Sequence, residues 1–151
     1  MIKILFVCHG NICRSPMAEF IIKDLVKKNN LEKDFYIESC AKSTEELGND
    51  IYPYAKETLK RHNIPFNKRE ARQITIDDFK NFDYIIAMDT NNINNLKKIS
   101  SSNKIIKLLD KDIEDPWYTN NFDKVYEEIY SGCLSLLNTF LKSSWITNVA
   151  K

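Results

Sequence analysis

Apolar residues fall into short runs and longer stripes that alternate along the chain. Residues 2–7 (IKILFV) form a near-continuous apolar run. Such a run suits a central strand covered on both faces, the habit of parallel sheets. It gives way to Cys8-His9-Gly10-Asn11-Ile12-Cys13-Arg14, then Ser15-Pro16, an N-cap residue followed by a first helical residue. Ala18, Ile21, Ile22, Leu25 and Val26 follow at helical spacing. Residues 35–39 read as a second strand, 42–50 as a polar loop, and 53–62 as a helix closed by Arg61, His62, Asn63 and Pro65. A third strand is expected over 83–88, a short helix over 90–98 and a weaker fourth strand over 104–108. Residues 122–141 carry a long helical stripe of Phe122, Val125, Tyr126, Ile129, Cys133, Leu136, Leu137 and Phe140.

Strands that alternate with helices predict an α/β fold with helices on both faces of a parallel sheet. The expectation is a three-layer α/β/α sandwich, Rossmann-like, with four strands in the order 2-1-3-4. No linker or repeat divides the chain, so residues 1–151 are expected to form one domain.

Composition narrows the function. With 43% hydrophobic and 28% charged residues the chain reads as globular, not disordered. A chain this long buries roughly 70% of its unfolded surface and needs no metal or disulfide staple. The net charge of +1 provides no global basic field for nucleic acid, so the partner must be inferred from a site. No apolar stretch approaches the ~20 residues of a membrane span. The four cysteines, Cys8, Cys13, Cys40 and Cys133, are too sparse for a disulfide framework, and residues 1–7 are not expected to act as a signal peptide. The expected setting is the reducing cytoplasm, and a monomer is the default. Cys133 on the apolar stripe and Cys40 at a strand end read as core.

The chemistry lies in the loop from Cys8 to Arg14. In an open parallel sheet, ligands bind at the carboxyl ends of strands. This loop leaves such an end and runs into a helix, whose N-terminus points unpaired N–H groups at an anion. Five residues between Cys8 and Arg14 can curl around one tetrahedral phosphate, and Gly10 and Asn11 tolerate left-handed backbone. A cysteine at the strand end feels the loop amides, the helix dipole and Arg14, all of which favour the nucleophilic thiolate. Ser15 can add a hydroxyl hydrogen bond to that sulfur. Arg14 presents a planar fork to two phosphoryl oxygens, which lysine cannot do.

The stretch from Phe6 to Glu19, FVCHGNICRSPMAE, closely resembles the N-terminal signature of the low-molecular-weight protein tyrosine phosphatases. Ala71-Arg72-Gln73-Ile74-Thr75, Phe82-Asp83-Tyr84-Ile85, Met88-Asp89 and Glu114-Asp115-Pro116-Trp117-Tyr118 match further family segments in order. The resemblance implies hydrolysis of phosphotyrosine, in proteins or small aryl phosphates, through a cysteinyl-phosphate intermediate, with inorganic phosphate as product and no cofactor or metal. It makes Cys8 the nucleophile and Arg14 the phosphate clamp. Ser15 becomes the thiolate stabiliser, and Asn11 holds the loop with help from Ser39. His9, Gly10, Asn11, Ile12, Cys13, Arg14 and Ser15 form the phosphate-binding loop. Cys13 becomes a neighbouring thiol able to close a protective disulfide with Cys8. The side chain of His9 is expected to point outward.

A phosphate ester also needs a proton for its leaving oxygen, and Asp115 is the candidate acid. Pro116 restricts it to extended backbone, and Trp117 and Tyr118 can wall an aromatic slot. Two departures from the family stand out. Glu45 falls where an aromatic commonly faces the substrate ring, and Arg69 stands where a histidine commonly precedes the Ala-Arg-Gln segment. An arsenate reductase on the same scaffold would need further redox cysteines, and residues 72–96 contain none. A mere phosphate-binding module would need no acid.

Overall fold

A computed structural model describes residues 1–142, so the expected single domain, which runs to residue 151, extends beyond the described residues. Four parallel strands form one sheet in the order β2-β1-β3-β4. They are β1 (Ile2–Cys8), β2 (Phe35–Ala41), β3 (Tyr84–Ala87) and β4 (Ile105–Lys107). The helices are α1 (Arg14–Lys28), α2 (Pro53–Arg61), α3 (Asp78–Asn81), α4 (Thr90–Ile99), α5 (Pro116–Thr119) and α6 (Phe122–Lys142). Both the layering and the strand order agree with the sequence reading.

Alternation along β1 explains its unbroken apolar run. Ile4 and Phe6 enter one hydrophobic cluster with Met17 and Ile21 of α1 and Ile129 and Cys133 of α6. Leu5 and Val7 enter a second cluster with Phe79 of α3 and Leu96 of α4. A strand that feeds two cores has no polar face to offer. β1 pairs with β2 on one side and β3 on the other, with Cys8 opposite Ala41 and Val7 opposite Ala87. Its carboxyl end is therefore a topological switch point, where a crevice opens between diverging connections.

Differences from the sequence reading are local. α1 begins at Arg14, so Ser15 lies inside the helix and is not its N-cap. Its hydroxyl is committed to the loop instead. β2 runs on to Ala41 because Cys40 and Ala41 pair with Val7 and Cys8. Three one-turn elements went unpredicted: a 3-10 turn at Glu32–Asp34, α3 and α5. Each is too short to show a helical period; α3 and α5 are fixed by side-chain bonds, such as Asp78 accepting from the Thr75 amide at 2.7 Å, and the 3-10 turn by the Asp34 amide donating to the Leu31 carbonyl.

Gly132 lets α6 lie close to the end of β4. A Cβ there would stand 2.7 Å from Leu108 Cγ. Gly132→Ala should gain about 1 kcal/mol of helix propensity but lose roughly 1–3 kcal/mol to overpacking. The expected outcome is a lower urea midpoint at unchanged m-value, and a higher midpoint would show that Leu108 yields freely.

Candidate active site

The loop after β1 has an inside and an outside set by its carbonyls. Cys8 O accepts from Lys42 N (3.0 Å), His9 O from Ser43 N (3.1 Å) and Ile12 O from Tyr52 N (2.9 Å). Asn11 O accepts from Arg69 Nη2 (2.5 Å), and Cys13 O from Met17 N of α1 (3.1 Å). With carbonyls turned outward, the amides face inward. Asn11 N and Ser15 N point at Cys8 Sγ, at 3.3 and 3.4 Å. Among the described residues, the amides of Gly10, Ile12, Cys13 and Arg14 have no acceptor in the protein. Buried or half-buried N–H groups without acceptors are costly and rare. Four converging on one cavity, at a helix N-terminus, define an anion cradle.

Only Asn11 adopts the left-handed conformation expected of this loop, at φ 61°. Gly10 instead sits close under Glu46, whose Cγ would have to give a few tenths of an ångström to a Cβ placed 3.2 Å away. Asn11 is fully buried. Its Nδ2 donates to Ser15 Oγ at 2.7 Å and Ser39 Oγ at 2.9 Å. Ser39 Oγ in turn donates to the buried carboxylate of Glu19 at 2.6 Å. These bonds set a direction. Ser15 Oγ accepts from Asn11, so its own proton is free for Cys8 Sγ at 3.0 Å, closer than the competing Cys40 carbonyl at 3.4 Å. The sulfur thus meets two amides and one hydroxyl, all able to donate.

Arg14 is buried with its Nη1 fully engaged, donating to Asp89 Oδ2 and the Ile113 carbonyl, both at 2.7 Å. Nη2 and Nε are left for the cradle. Burial opposes the charge, but Cys8 and the bond to Asp89 outweigh it and raise the Arg14 pKa. Asp115 caps α5, its Oδ1 accepting from Trp117 N at 3.0 Å. Its Oδ2 stands 3.7 Å from Arg14 Nη2. Glu114, next in the chain, turns away to Lys124 and Asn121 and is pulled down to about 2, first by the Lys124 bond.

One cavity is lined by Cys8, Arg14, Asp115, Glu45, Trp117 and Tyr118, so the residues singled out from sequence converge. Trp117 is braced by Tyr52 at a centroid distance of 4.8 Å. His9 also lines the rim and, contrary to the outward orientation expected, bonds Glu45 Oε2 at 2.8 Å. Sequence reasoning gave no role to Asp89, Ile113 or Glu19. An acid at the carboxyl end of β3 ahead of a helix, and a lone acid four residues after Ser15, were the available signals. All four cysteines are free and buried. Burial, then the neighbouring Cys8, pushes the Cys13 thiol up, so it keeps its proton. Burial does the same for Cys40 and Cys133.

A family model described as low molecular weight phosphotyrosine protein phosphatase matches residues 3–145. The chain is 41% identical over 152 residues to the low molecular weight protein-tyrosine-phosphatase YfkJ of Bacillus subtilis, covering 94% of this chain and 97% of that one. To PtpA of Staphylococcus aureus it is 38% identical over 152 residues, covering 95% and 97%. The crystal structure of YfkJ gives a TM-score of 0.92 over 95% of this chain and 97% of that chain. That of SP-PTP from Streptococcus pyogenes gives 0.89 at 41% identity, with full coverage of both chains (100% and 100%).

Asn11 carries both the loop's strained backbone and the polarity of the Cys8 bonds. Asn11→Ala should cost about 2–4 kcal/mol, from a left-handed alanine and the loss of two buried hydrogen bonds. It should also lower kcat at least about tenfold. Asn11→Gly should recover the backbone share of stability in urea melts but not kcat. Full activity in Asn11→Gly would mean that the side-chain bonds do not serve the sulfur.

Proposed function

The chain belongs to the low-molecular-weight phosphotyrosine protein phosphatases and hydrolyses phosphotyrosine, and from that premise we propose that Cys8, Arg14 and Asp115 carry out its two chemical steps. In the first, Cys8 Sγ attacks phosphorus, the P–O bond to the phenol breaks, and the leaving oxygen takes a proton from Asp115. In the second, the Asp115 carboxylate takes a proton from water, which attacks the cysteinyl phosphate. The S–P bond breaks, releasing inorganic phosphate and restoring the thiolate. The observation that carries this reading is the set of inward amides around a sulfur that itself accepts three hydrogen bonds. As charge spreads over the phosphoryl oxygens, the free amides of the loop and the remaining Arg14 donors strengthen their hold. His9 to Ser15 form the cradle, with Asn11, Ser15 and Ser39 as its support.

Asp115 suits the acid role because one oxygen is fixed by the α5 cap while the other faces the cavity beside Arg14. Trp117 and Tyr118 supply apolar surface for a phenyl ring. Cys13 is the nearby thiol that can trap an oxidised Cys8: peroxide takes the thiolate to a sulfenic acid, and Cys13 displaces water to form the disulfide. The four unbridged cysteines fit a reducing, cytoplasmic setting. Among the described residues no helix is long and apolar enough to cross a membrane. Glu45 and Glu46 at the rim disfavour phosphotyrosine sites flanked by acidic residues.

Three outcomes test this reading. Cys8→Ser should abolish turnover while phosphate still binds, and rapid quenching of wild type should recover phosphate on Cys8. Asp115→Asn should lower kcat by about 10²–10⁴-fold for poor leaving groups and much less for nitrophenolate; equal losses would remove Asp115 from the acid role. Glu45→Ala should raise kcat/KM for an acidic phosphopeptide relative to a neutral one, and an unchanged ratio would dismiss the rim charge.

A further inference from the structure

Arg69 is held in an unusual way for a half-buried cation. Among the described residues it makes no ion pair with a carboxylate. Its guanidinium instead bonds two backbone carbonyls, Asn11 O through Nη2 at 2.5 Å and Asn49 O through Nη1 at 3.1 Å. The Arg69 backbone is itself fixed, its N–H donating to Asp50 Oδ1 at 3.2 Å. Asp50 is anchored by Lys56 and by the Ile51 amide. A charged fork on a braced segment is thereby aimed at one peptide oxygen of the cradle.

That oxygen shares a peptide unit with the Ile12 N–H. In a trans peptide the C=O and N–H point in opposite directions, so pulling the oxygen outward turns the N–H inward. Ile12 lines the cavity, and its amide is one of the four without an acceptor in the protein. A charge-assisted bond at the oxygen also polarises the unit and makes its N–H a stronger donor. The carbonyls of Cys8, His9, Ile12 and Cys13 accept only from neutral groups, four backbone amides and the Ser43 hydroxyl. The Asn11–Ile12 peptide, already in a left-handed bend, alone receives a full positive charge.

We propose that Arg69 is a positioning residue for phosphoryl transfer: acting through the Asn11–Ile12 peptide, it aims and strengthens the Ile12 N–H toward the phosphoryl oxygens. This inference rests on the reading of the loop as the phosphate cradle. Its effect belongs in the transition state, where the oxygens carry most charge, and so in kcat more than in KM. Removing a complete oxyanion donor costs about 10²–10³-fold, so weakening one should cost about tenfold.

The test compares wild type with Arg69→Met, Arg69→Gln and Arg69→Lys on an aryl phosphate, together with amide NMR of the phosphate-saturated proteins. Arg69→Met should lower kcat about tenfold with KM changed less than about threefold, and move the Ile12 amide proton upfield. Arg69→Lys, which keeps the charge, should restore most of kcat and most of that shift, and Arg69→Gln should fall between. If Arg69→Met does not fold, the same order is read from Lys and Gln alone. Equal kcat in all folded variants, an unmoved Ile12 amide, or a rise in KM alone would overturn the proposal. A wild type inactive on phosphotyrosine would sink the reading of the cradle; an active wild type matched by Arg69→Met sinks only this inference.

Discussion

Everything at this site depends on the way one stretch of backbone faces. The carbonyls of Cys8, His9, Asn11 and Ile12 are drawn outward by donors from neighbouring segments, and that of Cys13 by the first turn of α1, and the amides are thereby turned in. Among the described residues four of the inward amides have no acceptor, so the loop presents a positive potential at the end of a strand and the start of a helix. Cys8 sits under that potential, and so would a phosphoryl group bonded to its sulfur. In the proposed mechanism, holding the nucleophile and binding the transition state are thus two consequences of one arrangement.

The sheet explains why this loop can be held so firmly. β1 is buried on both faces, and α1 packs against it directly after the turn. The loop is consequently pinned at both ends by the best-packed elements of the fold. The other groups arrive from the same edge of the sheet: Asp89 at the end of β3, Ile113 and Asp115 beyond β4, and the Glu45 loop beyond β2. In a parallel sheet all strands end on the same side, so residues far apart in sequence meet there without any long excursion of chain.

That architecture also decides what could be read in advance. Cys8, Arg14 and the loop between them were legible as a candidate site because they lie within one contiguous segment whose residue types each suit an anion loop. Most element spans followed from apolar runs and stripes. Asp115 was legible through its proline and aromatic neighbours, and the α5 cap accounts for its fixed oxygen. Ser15 was misassigned as a helix cap because a serine before a proline is a good local signal, while the competing Asn11 and Cys8 partners are tertiary. Glu19, Asp89 and Ile113 were not legible as functional positions. Their roles arise from contacts with Ser39 and Arg14, formed only when separate segments fold together.

The partners of the loop carbonyls reveal a division of labour. Lys42, Tyr52 and Met17 act through backbone N–H groups, so those contacts depend on where the chain runs and hardly at all on which side chain is present, while Ser43 adds its hydroxyl to its own N–H at the His9 carbonyl. A fold can preserve them while its sequence drifts, and no motif records them. Arg69 and the Asn11 amide differ, since a side chain does the work and a substitution removes it. The fold therefore fixes the general shape of the cradle, and a few side chains set how strongly particular donors point into it. Because the Asn11–Ile12 peptide is bent left-handed and charged from outside, the loop's electrostatics are most sensitive to sequence at this joint.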